Sequence, residues 1–169
     1  IQADIFPSKV YVSPLVRARS TAELVFPNAE PVIVDDFREM CFGIFEGRNY
    51  IEMERDPDYL AWVGNNCEGS CPGGERKADF SERTCNAFVP LVEQALNNGE
   101  ELLVIMAHGG TQMAIMERYA IPRKEYYHWC GPNAGGYVLE TDADTWRKEQ
   151  QLMLVDTVQY IKKEGEQTV

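Results

Sequence analysis

Leu102-Leu103-Val104-Ile105-Met106-Ala107-His108-Gly109-Gly110-Thr111 passes from an unbroken apolar run into a histidine, two glycines and a hydroxyl residue. Consecutive apolar residues without alternation suit a strand buried on both faces, as the inner strands of a parallel sheet are. A helical pattern resumes after Gly110, so the junction reads strand-to-helix. In open α/β sheets such junctions lie at the carboxyl ends of strands, where ligands sit. Two glycines let the backbone approach a ligand closely, and the helix N-terminus offers free N–H groups to an anion. His108, held positive there, would stabilise charge developing on a phosphoryl group.

Similar short aliphatic or β-branched runs occur at Lys9–Val12, at 31–34 and at Gly136–Glu140, and the run leading to His108 extends over 101–107. Helical patterns alternate with them. One follows Ser13-Pro14, where Ser13 suits an N-cap and Pro14 the first helical position. A short one spans 56–63, and a long one spans 79–98 from an Asp79/Glu82 capping box to Gly99, with Pro90 predicting a kink. Strands alternating with helices predict an α/β domain with a largely parallel sheet covered on both sides. No repeat or low-complexity segment divides residues 1–169, which read as a single domain.

Composition narrows the partners. Sixteen Lys and Arg against 27 Asp and Glu give a formal charge of −11. That field repels nucleic acid and anionic membrane surfaces. No apolar run approaches the roughly 20 residues needed to span a bilayer, and no signal peptide opens the chain, so a cytoplasmic location is expected. Five cysteines at irregular spacing (Cys41, Cys67, Cys71, Cys85, Cys130) read as reduced thiols. A zinc site on Cys67 and Cys71 lacks a second closely spaced ligand pair, so no metal is expected.

Two further segments carry chemistry. Strand Lys9–Val12 runs into Ser13-Pro14-Leu15-Val16-Arg17, which puts Arg17 near the start of a helix, where the dipole disfavours a cation. A guanidinium fork at a helix terminus is well suited to phosphate, although a surface pairing with Glu23 is the bland alternative. After the run at 31–34 comes Asp35-Asp36-Phe37-Arg38-Glu39-Met40-Cys41-Phe42-Gly43-Ile44-Phe45-Glu46-Gly47. Glu39 lies among apolar residues, and a partly desolvated carboxyl has the raised pKa that a general acid needs. Pairing with Arg38 or Arg17 is its structural alternative.

These residues resemble the histidine phosphatase superfamily, also called phosphoglycerate mutase-like. Ser13-Pro14-Leu15-Val16-Arg17-Ala18-Arg19-Ser20-Thr21-Ala22-Glu23 is similar to its S-P-L-x-R-A-x-x-T-A-E helix, and Phe37 to Gly47 to its L-x-E-x-x-F-G-x-W-E-G segment. Pro72-Gly73-Gly74-Glu75, with Arg83 after it, resembles the P-G-G-E before its long helix, and Ala107-His108-Gly109-Gly110-Thr111 its second-histidine motif. The resemblance implies a three-layer α/β/α fold, chemistry without a metal or organic cofactor, and a small phosphorylated metabolite as substrate. It implies that a histidine attacks phosphorus while an acid protonates the leaving oxygen. In those roles Arg17 clamps the phosphoryl oxygens, Glu39 donates the proton, His108 stabilises the transferring charge, and the amide at Gly109 adds a donor.

The family's nucleophile sits in an R-H-G motif on its first strand, which has no counterpart here. His108 and His128 are the sole histidines, and Tyr126-Tyr127-His128-Trp129 reads as an aromatic cluster or a pocket wall. The expectation is an N-terminally shortened chain, with the catalytic strand upstream of Ile1. Such a chain is expected to be unstable alone, or to fill the gap by dimerisation or strand exchange. The alternatives are a phosphoglycerate mutase and a non-catalytic phosphate-binding relative. Residues 48–71 hold two basic side chains (Arg48, Arg55) against five acidic ones, a poor clamp for a second phosphate, which favours a phosphatase. Tyr50, Tyr59, Trp62 and Trp129 are candidate walls for a ring-bearing leaving group, as in the α-ribazole phosphatase branch.

Overall fold

The computed structural model describes residues 5–69 and 71–159. Residues at both ends of the expected domain, including Ile1 and the point where a preceding strand would join, lie outside the described residues. Strand β1 (Lys9–Val12) leads to helix α1 (Val16–Val25) and strand β2 (Glu30–Ile33). Two 3-10 turns and helix α2 (Pro57–Gly64) precede the long helix α3 (Lys77–Asn98). Strand β3 (Ile105–Met106) enters helix α4 (Gly109–Tyr119), followed by β4 (Ala120–Ile121), β5 (Gly136–Glu140), α5 (Ala143–Glu149) and β6 (Leu152–Val158).

The strands form two three-stranded sheets in place of the single sheet expected from the sequence. One is β2-β1-β3, parallel throughout, with Val10 opposite Pro31 and Val12 opposite Met106. The other is β4-β6-β5, in which β4 runs parallel and β5 antiparallel to β6. Alternation along β1 sets the layers. Val10 and Val12 pack with Ala18 and Ala22 of α1, while Tyr11 joins Phe88 and Val92 of α3 and Ile115 and Tyr119 of α4. Helices therefore cover both faces of the first sheet, and the second sheet contributes Leu139 and Leu152 to the same α3–α4 core.

Several local expectations change. Ser13 does not cap α1; the helix opens one residue beyond Leu15, and Ser13 is buried in the site described below. The Asp79/Glu82 box does not cap α3, which starts two residues earlier, after Arg76, with no side-chain cap; Pro90 lies within it. Asp56, expected as the first residue of a helix over 56–63, is instead the N-cap of α2, accepting from the N–H groups of Asp58 and Tyr59. The run at 101–107 pairs as a strand only at Ile105 and Met106, with β1 as its partner. Trp129 is fully buried against Met116 and Ala120, so it is core and not a pocket wall. His128 is exposed. Among the described residues no helix is long and apolar enough to cross a membrane.

Candidate active site

Each strand of the first sheet delivers one chemically active side chain past its carboxyl end. Arg17 follows β1, Glu39 follows β2 and His108 follows β3. Parallel pairing places these three ends side by side, which is how residues far apart in sequence share one site. Arg17 is exposed, and among the described residues it joins no ion pair, Glu23 included. Its charge acts on both Glu39 and His108.

Glu39 is held at the N-terminus of α4. Its Oε2 accepts the Gly110 N–H at 3.3 Å and its Oε1 accepts the Met40 N–H at 3.0 Å. Burial pushes the carboxyl above its ordinary value, against the pull of those two N–H groups and of Arg17 and Arg83. Neighbouring bonds hold the start of α4 in place. Thr111 Oγ1 donates to the Phe37 carbonyl, and the buried Tyr126 hydroxyl donates to the Gly110 carbonyl. Gly110 thus serves Glu39: a Cβ there would lie 2.3 Å from Glu39 Oε1. Gly109 has open space where its Cβ would stand.

His108 lies at the entry to α4, with Nε2 2.7 Å from Ser13 Oγ. Burial, then the Arg17 charge, lower its pKa to about 4. The imidazole is therefore neutral near pH 7, contrary to the positive ring expected from sequence. A dianion bound beside it would raise that value, because an opposite charge favours the protonated ring.

The segment carrying Glu39 is splinted from α3. Arg83 donates through Nη1 to the carbonyls of Asp36 and Arg38, and through Nη2 to the Glu39 carbonyl and to Glu75 Oε2. Its Nε donates to Glu75 Oε1, and Glu75 Oε2 also accepts the Cys41 N–H. The Arg83 guanidinium holds the Glu75 carboxyl below its usual range. Gly43 and Gly74 let the two segments touch: a Cβ on Gly43 would meet the Pro72 carbonyl at 2.2 Å, and one on Gly74 the Cys41 carbonyl at 2.4 Å. The two motifs are one structural unit, and neither the contacts of Arg83 nor those of Ser13 follow from the sequence alone. Arg83→Met is expected to destabilise the fold by about 2–4 kcal/mol, since it strands Glu75 and three carbonyls at once. Urea unfolding checks this, and a loss under about 1 kcal/mol would mean that the splint is not stabilising.

Of the other proposed wall residues, Tyr59 and Trp62 pack on Phe45, with ring centroids 5.6 and 5.8 Å away, and Tyr50 is 72% exposed. Arg48, one of the two cations in that segment, is occupied by Asp56 at 2.9 Å.

The sequence model of the histidine phosphatase superfamily (branch 1) matches residues 2–151, and the chain belongs to that superfamily. Among curated proteins it is 30% identical over 112 residues to a protein of Hydrogenobacter thermophilus that carries the provisional name phosphoserine phosphatase 2, covering 63% of this chain and 53% of that one. It is 30% identical over 115 residues to a broad-specificity phosphatase of Saccharomyces cerevisiae, covering 64% of this chain and 47% of that one. The chain therefore spans about half the length of the curated relatives it matches. Its fold is similar to that of an α-ribazole phosphatase from Shigella flexneri, with a TM-score of 0.63 and 22% identity, covering 88% of this chain and 71% of that one. The phosphoglycerate mutase-like α/β fold expected from sequence is thus the fold observed.

Proposed function

We propose that these residues belong to a phosphomonoester hydrolase that acts through a phosphohistidine on a small phosphorylated metabolite. One observation carries the reading: a guanidinium without an ion pair among the described residues, a carboxyl with raised pKa and a neutral imidazole lie beyond three adjacent parallel strand ends. Arg17 and His108, with the amide of Gly109, hold the phosphoryl oxygens. The nucleophile is a histidine carried by polypeptide outside these 169 residues, seated along the edge of β3 that β1 does not occupy; a second copy exchanging a strand is the other way to cover that edge.

The nucleophile's nitrogen bonds to phosphorus as the ester P–O bond breaks, and the leaving oxygen takes the Glu39 proton. Water then attacks the phosphohistidine and gives its proton to the Glu39 carboxylate. That step releases inorganic phosphate and restores both groups. No step calls on a metal or organic cofactor, and the setting is the cytoplasm. The Arg48–Asp56 pair removes one of two cations from the segment a mutase would need for a second phosphate, which supports hydrolysis over mutase chemistry.

With the N-terminal part restored, phosphate release from small monoesters is expected to persist in excess chelator, with an acid-labile, base-stable phosphohistidine trapped during turnover. Isomerisation dependent on 2,3-bisphosphoglycerate would instead assign a mutase. Phosphate binding without any phosphohistidine would assign a non-catalytic relative.

A further inference from the structure

Ser13 is fully buried, at the point where β1 ends. Its backbone N–H donates to the Met106 carbonyl at 3.1 Å, which pins it beside the strand that leads to His108. Its hydroxyl is not spent on capping α1, whose N-cap is Leu15. Instead Ser13 Oγ accepts the Leu15 N–H at 3.3 Å and lies 2.7 Å from His108 Nε2. The two residues are 95 positions apart, so this contact exists only because β1 and β3 are paired.

The proton count on this pair is restrictive. Ser13 Oγ already accepts one bond, and its single O–H proton has His108 Nε2 as its one acceptor among the described residues. Were Nε2 protonated, it would donate to Oγ and leave the serine proton buried without a partner. An unsatisfied buried donor costs about 1–3 kcal/mol. With the serine donating, Nε2 is the acceptor and the ring proton must sit on Nδ1. Nδ1 has no hydrogen-bond partner among the described residues, on a ring that is only partly buried.

We infer that Ser13 is a positioning residue: it fixes His108 as the neutral Nδ1–H tautomer and so turns Nδ1–H into a donor for a bound oxyanion. The oxyanion half rests on the phosphoryl-binding role proposed for His108; the tautomer half does not. Ser13 itself cannot attack a substrate, because none of its surface is accessible. The arrangement gives the site a neutral donor that needs no proton from solvent, set beside the Arg17 charge. A second-residue hydrogen bond that selects a histidine tautomer is a general device for such rings.

The test is two-bond 15N–1H spectroscopy of the imidazoles near pH 7, with His128→Gln used to assign the two rings. In the unaltered protein His108 is expected to show a protonated Nδ1 and an unprotonated Nε2. Ser13→Ala is expected to populate the Nε2–H form, while Ser13→Thr, which keeps the hydroxyl, restores the original pattern. Titration with inorganic phosphate should shift the His108 Nδ1 signal, with binding roughly 3- to 10-fold weaker in Ser13→Ala, the worth of one neutral hydrogen bond. A protonated Nε2 in the unaltered protein overturns the inference, and so does an unchanged tautomer in folded Ser13→Ala. The unaltered spectrum decides the matter even if Ser13→Ala fails to fold. An Nδ1–H ring indifferent to phosphate upholds the tautomer role of Ser13 and refutes the oxyanion role of His108.

Discussion

Glu39→Gln is expected to slow phosphate release from alkyl monoesters by about 10²- to 10⁴-fold, with a far smaller loss on esters of acidic phenols. The contrast follows from the leaving group. An alkoxide must be protonated as its bond to phosphorus breaks, whereas a nitrophenolate departs unaided, so only the first needs the Glu39 proton. The amide also fits the cradle poorly. Both carboxyl oxygens accept N–H bonds, from Met40 and Gly110, and an NH2 at either position would face a donor. The pH profile supplies an independent sign. Burial raises the Glu39 pKa above its ordinary 4.5, so the acid form survives to higher pH in the folded protein. The alkyl-ester rate should fall as pH rises through the folded value, and Glu39→Gln should lack that limb. Folding is linked in the same direction: the contribution of Glu39 to stability is full below pH 4.5 and is lost as pH rises through the folded pKa. Equal losses on both ester types would remove Glu39 from the proton-transfer role.

What could be read from the sequence was what travels with local pattern. Arg17, Glu39 and His108 each stand near the end of an aliphatic run or in an apolar setting, which makes them candidates from local pattern, whereas Gly109 is a candidate only through the family resemblance. Gly99 as the end of α3 is likewise a local signal. Contacts made by strand pairing were not legible. Ser13 looks like a helix cap until β3 is laid beside β1, and only then does its hydroxyl meet His108. Arg83 likewise looks like one more charge on a long helix, because the carbonyls it holds are 44 to 47 residues away. The β6 strand was missed for a related reason: in Leu152–Val158 only Leu152 is buried, so no clean alternation marks it. The protonation state of His108 also escaped prediction. A histidine at a phosphate site suggests a cation, but burial beside Arg17 makes the neutral ring the resting form.

Gly110→Ala tests whether Glu39 and α4 form one device. The added Cβ would stand 2.3 Å from Glu39 Oε1, 3.2 Å from its Cδ and 3.1 Å from the Phe80 ring. Phe80 is fully buried and has no room to retreat, so the carboxyl must move and give up the Gly110 N–H. Overpacking of this kind costs about 1–3 kcal/mol. Alanine's better helix propensity returns at most about 1 kcal/mol, and less near a helix end. The net expectation is a modest loss in urea stability with a loss of kcat on alkyl esters of about 10²-fold or more, approaching that of Glu39→Gln. Esters of acidic phenols should again be affected least, because the fault is in proton delivery. Gly109→Ala is the matched control. Its Cβ meets nothing within 4 Å, so the fold and the position of Glu39 should be kept, and any penalty should fall on KM through crowding of the oxyanion. If Gly109→Ala and Gly110→Ala lower kcat alike, the α4 N-terminus does not act through Glu39, and the two glycines serve the ligand directly.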